Sequence, residues 1–172
     1  METLKNLSIG KNPPQEVNAF IEIPKGGNIK YEIDEESGMM FVDRFLHTAM
    51  HYPFNYGFIP HTLSQDGDPL DVLVLSDQSV APGSIVPLNV IGYLDMEDEG
   101  GIDPKIVGVP SKKVDPFFGE YQDIKDVPES LKAKIKHFFE QMKALEPGKW
   151  VKVKGWKDKK SAFELVKKSM KP

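Results

Sequence analysis

The apolar residues of this chain come in short runs, and Gly or Pro separates almost every run from the next. Runs of that length cannot complete the three or four turns of an ordinary helix, and Gly and Pro are the residues that interrupt one, so the pattern favours a β-rich core. Val17 to Ile23 and Ile29 to Asp34 alternate imperfectly around Pro24-Lys25-Gly26-Gly27-Asn28 and read as a hairpin with a five-residue connection. Met39 to Phe45 reads as a third strand. Leu70 to Leu75, Ile85 to Tyr93 and Ile106 to Val109 supply three more, with Pro82-Gly83 and the acidic stretch Asp95 to Asp103 as connections. Six short strands ahead of any long helix predict a mainly β fold with flanking helices (α+β), curled into a small closed or half-closed barrel.

The first clear helix is late. Asp126 is its expected N-cap with Glu129 three residues on, and Leu131, Ile135, Phe138, Phe139, Met142 and Leu145 repeat at helical spacing until Pro147-Gly148. A strand over Trp150 to Val153 and a lysine-rich helix over Lys159 to Lys168 follow. The aromatic stretch Met50 to Pro60 reads as a packed loop, in which Tyr56 is either a phosphate-directed hydroxyl or a core tyrosine.

At 172 residues the chain suits one domain, residues 1–172. No apolar run approaches the length of a membrane span, and Met-Glu-Thr-Leu-Lys-Asn lacks a secretory apolar stretch, so a cytoplasmic location is expected. The absence of cysteine excludes thiolate nucleophiles and zinc–thiolate sites. Residues 149 to 172 carry nine Lys against Asp158 and Glu164, a local +7 within a net charge of −4. Interleaved with Trp150, Val153, Trp156 and Phe163, these lysines read as a solvated face of ordered elements rather than a nucleic-acid or membrane tail. Of 22 basic residues only Arg44 is an arginine. A lone guanidinium marks a place for a planar, bidentate fork or stands there by chance.

The strongest chemical signal is Asp66-Gly67-Asp68-Pro69-Leu70-Asp71, three carboxylates held by Gly and Pro just before a strand. Their mutual repulsion is relieved economically by divalent cations, and Pro69 and Asp71 at the fourth and sixth positions exclude an EF-hand loop. A second acidic run, Asp95 to Asp103, followed by Lys105, taken alone reads as an acidic surface loop and paired with the first cluster becomes a candidate for further cation ligands. On the strand Ile29 to Ile33, Lys30 and Glu32 share a face. They form a plain solvent pair or, if the face looks into a site, hold an anionic oxygen and a cation; Glu22 extends that face from the neighbouring strand. Phosphate loops, dinucleotide loops, nucleophile elbows and zinc-pair motifs are all missing, and the four histidines are scattered.

The ordered series Ile21-Glu22-Ile23-Pro24, Ile29-Lys30-Tyr31-Glu32, Phe41-Val42-Asp43-Arg44-Phe45, Tyr52-Pro53, Asn55-Tyr56-Gly57, Asp66 to Val72, Asp98-Glu99, Asp103 and Lys149-Trp150-Val151 resembles the soluble family I inorganic pyrophosphatases of the bacterial type. The resemblance spans about residues 17 to 156. It implies an OB-like five-stranded closed barrel, several Mg2+ ions per subunit, and hydrolysis of diphosphate to two orthophosphates by a metal-bridged hydroxide that a carboxylate base activates. By the same resemblance Asp68 is that base, and Asp66, Asp71 and Asp103 hold the tight metals. Asp98 and Glu32 hold those arriving with substrate. Lys30, Arg44, Tyr56, Lys105 and Lys143 hold phosphate oxygens, with Glu22, Tyr52 and Glu99 in support. A homohexamer is implied as well, and no nucleic-acid or membrane partner. Relatives usually carry Tyr-Lys where this chain has Met142-Lys143, and Met cannot donate the tyrosine's hydrogen bond. Two rivals remain: a nucleotide-directed metal phosphohydrolase keeps the same carboxylates but needs a base pocket, and an OB-type nucleic-acid binder needs a basic binding face, whereas here the strand-end loops are the most acidic parts of the chain.

Overall fold

The computed structural model describes residues 6–34 and 37–171. Among the described residues nine strands and two α-helices follow one another as β1 (Glu16–Ile23), β2 (Ile29–Ile33), β3 (Met40–Phe45), β4 (Asn55–Phe58), β5 (Asp71–Val74), β6 (Ile85–Asp98), β7 (Gly101–Ile102), β8 (Lys105–Pro110), α1 (Glu129–Gln141), β9 (Val151–Lys157) and α2 (Lys159–Ser169). Five strands close into a hydrogen-bonded ring. Strand β1 pairs β4, β4 pairs β5, β5 runs parallel to β8, β8 pairs β6, and β6 returns to β1. Beyond the ring, the far half of β6 carries β9 and β7, while β2 and β3 form a separate two-stranded sheet. The mainly β class with a closed five-strand ring and flanking helices is thus present. No described helix is long and apolar enough to cross a membrane.

Two apolar clusters fix this arrangement. The alternation of β5 sends Val72 and Val74 into a cluster beneath α2, with Ala162 and Val166, and sends Leu73 and Leu75 into one beneath α1, with Ile135, Phe138 and Phe139. A strand buried on both faces must be apolar at consecutive positions, which is how Asp71-Val72-Leu73-Val74 reads after its first residue.

Several expected elements differ. The hairpin between the first two strands does not form, because β1 already has β4 on one edge and β6 on the other; β2 turns instead to β3, with Lys30 opposite Arg44. Strand β4 lies inside the stretch expected to be a loop. Its Gly57 faces Ile21, and a Cβ there would sit 1.8 Å from the Phe20 carbonyl oxygen, so the glycine permits a close crossing of strands rather than a turn. Strand β6 runs to Asp98 through acidic residues expected to form a connection, since the lysines of β9 lie alongside: Lys154 pairs with Glu97 at 2.6 Å and Lys157 with Asp95 at 3.7 Å. The basic tail is therefore a strand and a helix, with part of its charge neutralised across the sheet.

Asp126 does not cap α1. It closes a one-turn 3-10 helix (Ile124–Asp126) by accepting the backbone N–H groups of Gln122 and Asp123, and α1 begins after Pro128. The helix stops at Gln141, after which Ala144 and Glu146 donate to carbonyls three residues back in a tightened turn that leaves Leu145 65% exposed. Because its Cβ would collide with a ring carbonyl, Gly57→Ala should lower stability by about 3–5 kcal/mol. Thermal unfolding at near-wild-type Tm would contradict the close strand crossing.

Candidate active site

One cleft of about 420 Å³ opens where the β2–β3 hairpin, the acidic loop before β5, the starts of β5 and β8, the end of β6 and the C-terminus of α1 meet. Every site residue named from the sequence lines it except Glu99, which sits behind Lys143 at 3.2 Å and accepts the Trp150 N–H. Lys30, Glu32 and Arg44 of the hairpin and Asp66, Asp68 and Asp71 before and at the start of β5 line this cleft together with Asp98, Asp103, Lys105 and Lys143.

The parallel pairing of β5 with β8 sets Val72 opposite Ile106, which brings Asp71 beside Lys105. The Lys105 ammonium, only 5% exposed, lies between the Asp71 carboxylate and that of Asp103 at 2.5 Å. Burial alone would expel its proton, but the two carboxylates outweigh burial and hold it charged well above the usual lysine range. Burial also raises the Asp103 carboxyl, with Lys105 opposing and Asp71 adding to the rise. Asp68 is raised by burial, then by the charges of Asp66 and Asp71. Tyr56 and Tyr52, both buried, have hydroxyls pushed up by burial and then by Asp71, so they remain protonated donors.

The cationic side is arranged as opposed pairs. On β2, Lys30 reaches Glu32 at 2.5 Å and Asp43 at 3.4 Å. Across the hairpin the Arg44 guanidinium donates through Nε to Asp43 at 2.8 Å and through Nη1 to Glu146 at 2.6 Å. Lys143 reaches Asp98 at 2.6 Å. Burial works against the Asp98 charge, yet the Lys143 and Gly100 hydrogen bonds hold its carboxyl below the ordinary range. Met142 belongs both to the core beneath α1 and to the cleft wall, because it falls at the helix terminus where the two meet.

Asp43 and Glu146 were not assigned roles from the sequence. Asp43 could have been suspected from its place beside the lone arginine; Glu146 could not, since 102 residues separate it from Arg44. Among the described residues no three of the acidic side chains converge as a ready-made chelating group; lysine ammoniums lie between them instead. The donor set is nonetheless all hard carboxylate oxygen, and the Glu22, Asp68 and Asp103 carboxyls, raised first by burial and further by neighbouring carboxylates, would be held in their charged form beside a hard divalent cation. The cleft fits such an ion.

A closed β-ring bearing a cleft of interleaved carboxylates and fixed cations defines a scaffold suited to small polyanions. The family model described as inorganic pyrophosphatase matches residues 19–172. The inorganic pyrophosphatase of Aquifex pyrophilus is 54% identical over 96% of this chain and 94% of its own, and that of Saccharolobus solfataricus is 54% identical over 95% of each. The crystal structure of the Thermus thermophilus inorganic pyrophosphatase superposes with a TM-score of 0.92 at 50% identity, covering 97% of this chain and 96% of that one. The chain belongs to the inorganic pyrophosphatase family.

Burial, with the Asp71 charge second, pushes the Glu22 carboxyl from 4.5 up to about 8. The folded protein keeps this proton over a range in which the unfolded chain has released it, so stability should fall as pH rises from about 5 to about 8. In protein stripped of divalent cations, Glu22→Gln should flatten that slope of Tm against pH. An unchanged slope would assign the proton to another group.

Proposed function

We propose that this chain hydrolyses inorganic diphosphate to two orthophosphates with the help of several Mg2+ ions. The observation that carries the reading is the cleft itself, where Lys30, Arg44, Lys105 and Lys143 are each already paired with a carboxylate, in a member of this family. An arriving diphosphate oxygen can take the place of a carboxylate partner at little cost, because the cations are oriented and partly desolvated beforehand. Lys30 and Arg44, opposite one another on the hairpin, would grip one phosphoryl group, Arg44 through two N–H groups. Lys105, Lys143 and the protonated Tyr56 hydroxyl would grip the other and stabilise the charge left on it.

Asp66, Asp71 and Asp103 are the candidate ligands for tightly held magnesium, and Asp98 and Glu32 for ions entering with substrate. Such ions, when bound, would neutralise phosphate charge and make water more acidic. Asp68 is the candidate base: burial and the charges of Asp66 and Asp71 raise its carboxyl above the ordinary range, which makes it a better proton acceptor than a free carboxylate. Water oxygen would bond to one phosphorus as the bridging P–O bond breaks, the proton passing to Asp68 and the bond pair leaving with the second orthophosphate. A cytoplasmic location and assembly into homohexamers belong to the same reading. Self-association is supported by Phe41, Val42 and Phe45, all more than half exposed along β3.

Phosphate release from diphosphate, with and without magnesium, tests the reaction; no magnesium-dependent release would refute it. Asp68→Asn should lower kcat by about 10² to 10⁴ with magnesium binding retained, whereas Asp71→Asn should weaken the metal itself. Identical recovery of both variants at high magnesium would remove the distinction between base and ligand. Sedimentation should give a species far heavier than the 19.4 kDa chain; a monomer would argue against assembly.

A further inference from the structure

The loop that carries Asp66 and Asp68 is closed by one buried hydroxyl. Thr62 and Leu70, at the two ends of this loop, are 0% and 1% exposed. The Leu70 N–H donates to Thr62 Oγ1 at 2.8 Å, and the same hydroxyl donates to the Ile59 carbonyl at 2.6 Å, next to the backbone bond from Ile59 N–H to the Leu70 carbonyl at 2.9 Å. Above this stem the loop folds on itself, with Ser64 N–H to the Asp68 carbonyl at 2.7 Å and Asp68 N–H to Asp66 Oδ1 at 3.0 Å. Leu70 immediately precedes Asp71, so the stem sets the position of all three carboxylates relative to Lys105.

The stem is held from outside by the C-terminal residues. Thr62 bridges Met170, Leu63 N–H donates to the Ser169 carbonyl at 2.7 Å, and Lys171 N–H donates to the His61 carbonyl at 2.9 Å. His61 has φ 56, a left-handed conformation costly for a residue with a Cβ, and this reversal turns Thr62 under the loop. A valine would fill the Thr62 site equally well by shape. The hydroxyl is needed for the Leu70 N–H, which is otherwise a buried donor without a partner.

We propose that Thr62 is a positioning residue for the reaction: its hydroxyl, backed by Ser169 to Lys171, holds the Asp66–Asp71 loop in its reactive setting. The proposal rests on the diphosphate-hydrolysis reading above. Its prediction separates kcat from KM, because the cations that would hold substrate stand outside the loop, Lys30 and Arg44 on the β2–β3 hairpin, Lys105 on β8 and Lys143 just after α1.

The test compares Thr62→Val with Thr62→Ser in the full-length, magnesium-loaded chain. Thr62→Val should lose about tenfold to a hundredfold in kcat, the scale expected of a displacement of about 1 Å at reacting groups, with KM for diphosphate within about twofold of wild type. Thr62→Ser should restore kcat to within about threefold. Faster amide hydrogen exchange at Leu70 in Thr62→Val, read without substrate, should accompany the loss. Wild-type kcat in Thr62→Val, whatever its Tm, would overturn the proposal and leave Thr62 a packing residue. If Thr62→Val does not fold, Lys171→Pro serves: it deletes the outer N–H donor, and Met170, at φ −61 and ψ 127, already has the conformation that precedes proline. A kcat lowered about threefold at constant KM is expected there, and wild-type kcat would overturn the proposal. A wild-type chain inactive on diphosphate would instead refute the functional reading on which the proposal stands.

Discussion

The ion group Asp71–Lys105–Asp103 is the constraint around which the cleft is built. It exists because β5 and β8 are parallel neighbours, so both strands begin at the same end of the ring and their first residues face one another. A buried ammonium without partners would be strongly destabilising, and two carboxylates without a cation equally so; each half is tolerable only because of the other. The charge of Asp71 then spreads through the cleft, adding to burial at Glu22, Tyr52 and Tyr56 and keeping all three protonated near neutral pH.

The hairpin supplies the opposite wall. Because β2 pairs with β3 rather than β1, Lys30 and Arg44 come to lie opposite each other, and Asp43 sits between their charges. The lone arginine of the chain is held by two carboxylates through different edges of its planar guanidinium, Nε by Asp43 and Nη1 by Glu146. A planar fork can satisfy both at once and a lysine ammonium cannot fix its orientation that way, which gives the single guanidinium a physical reason. Every cation in the cleft has an acidic partner, so binding of a polyanion is an exchange of partners on a prepared surface.

Much of this was legible in local spacing. The strands around Val17 to Ile23, Leu70 to Leu75 and Ile106 to Val109 stand within a residue or two of their expected places, because burial on one or both faces leaves a direct trace in the pattern of apolar residues. The failures have a common cause. Asn55-Tyr56-Gly57-Phe58 looks like a turn until β1 and β5 enclose it, and Asp95 to Asp98 looks like a loop until the lysines of β9 lie beside it. Helix α1 ends earlier than its apolar period, at the point where Lys143 and Glu146 meet Asp98 and Arg44.

By itself the sequence determined the groups whose relations are set by a few covalent bonds: the three carboxylates of Asp66 to Asp71, the Lys30–Glu32 pair on one strand face, and a chemistry restricted to oxygen and nitrogen donors by the absence of cysteine. The order of motifs along the chain carried the family as well. Tertiary structure alone decided which strand β2 would join, that Lys105 would be shared by Asp71 and Asp103, that Glu146 would reach Arg44, and that the Thr62 hydroxyl would close the acidic loop. Those contacts depend on strand register and on closure of the ring, which are fixed by the summed packing of residues far apart in the chain and leave no mark in the local spacing of any one segment.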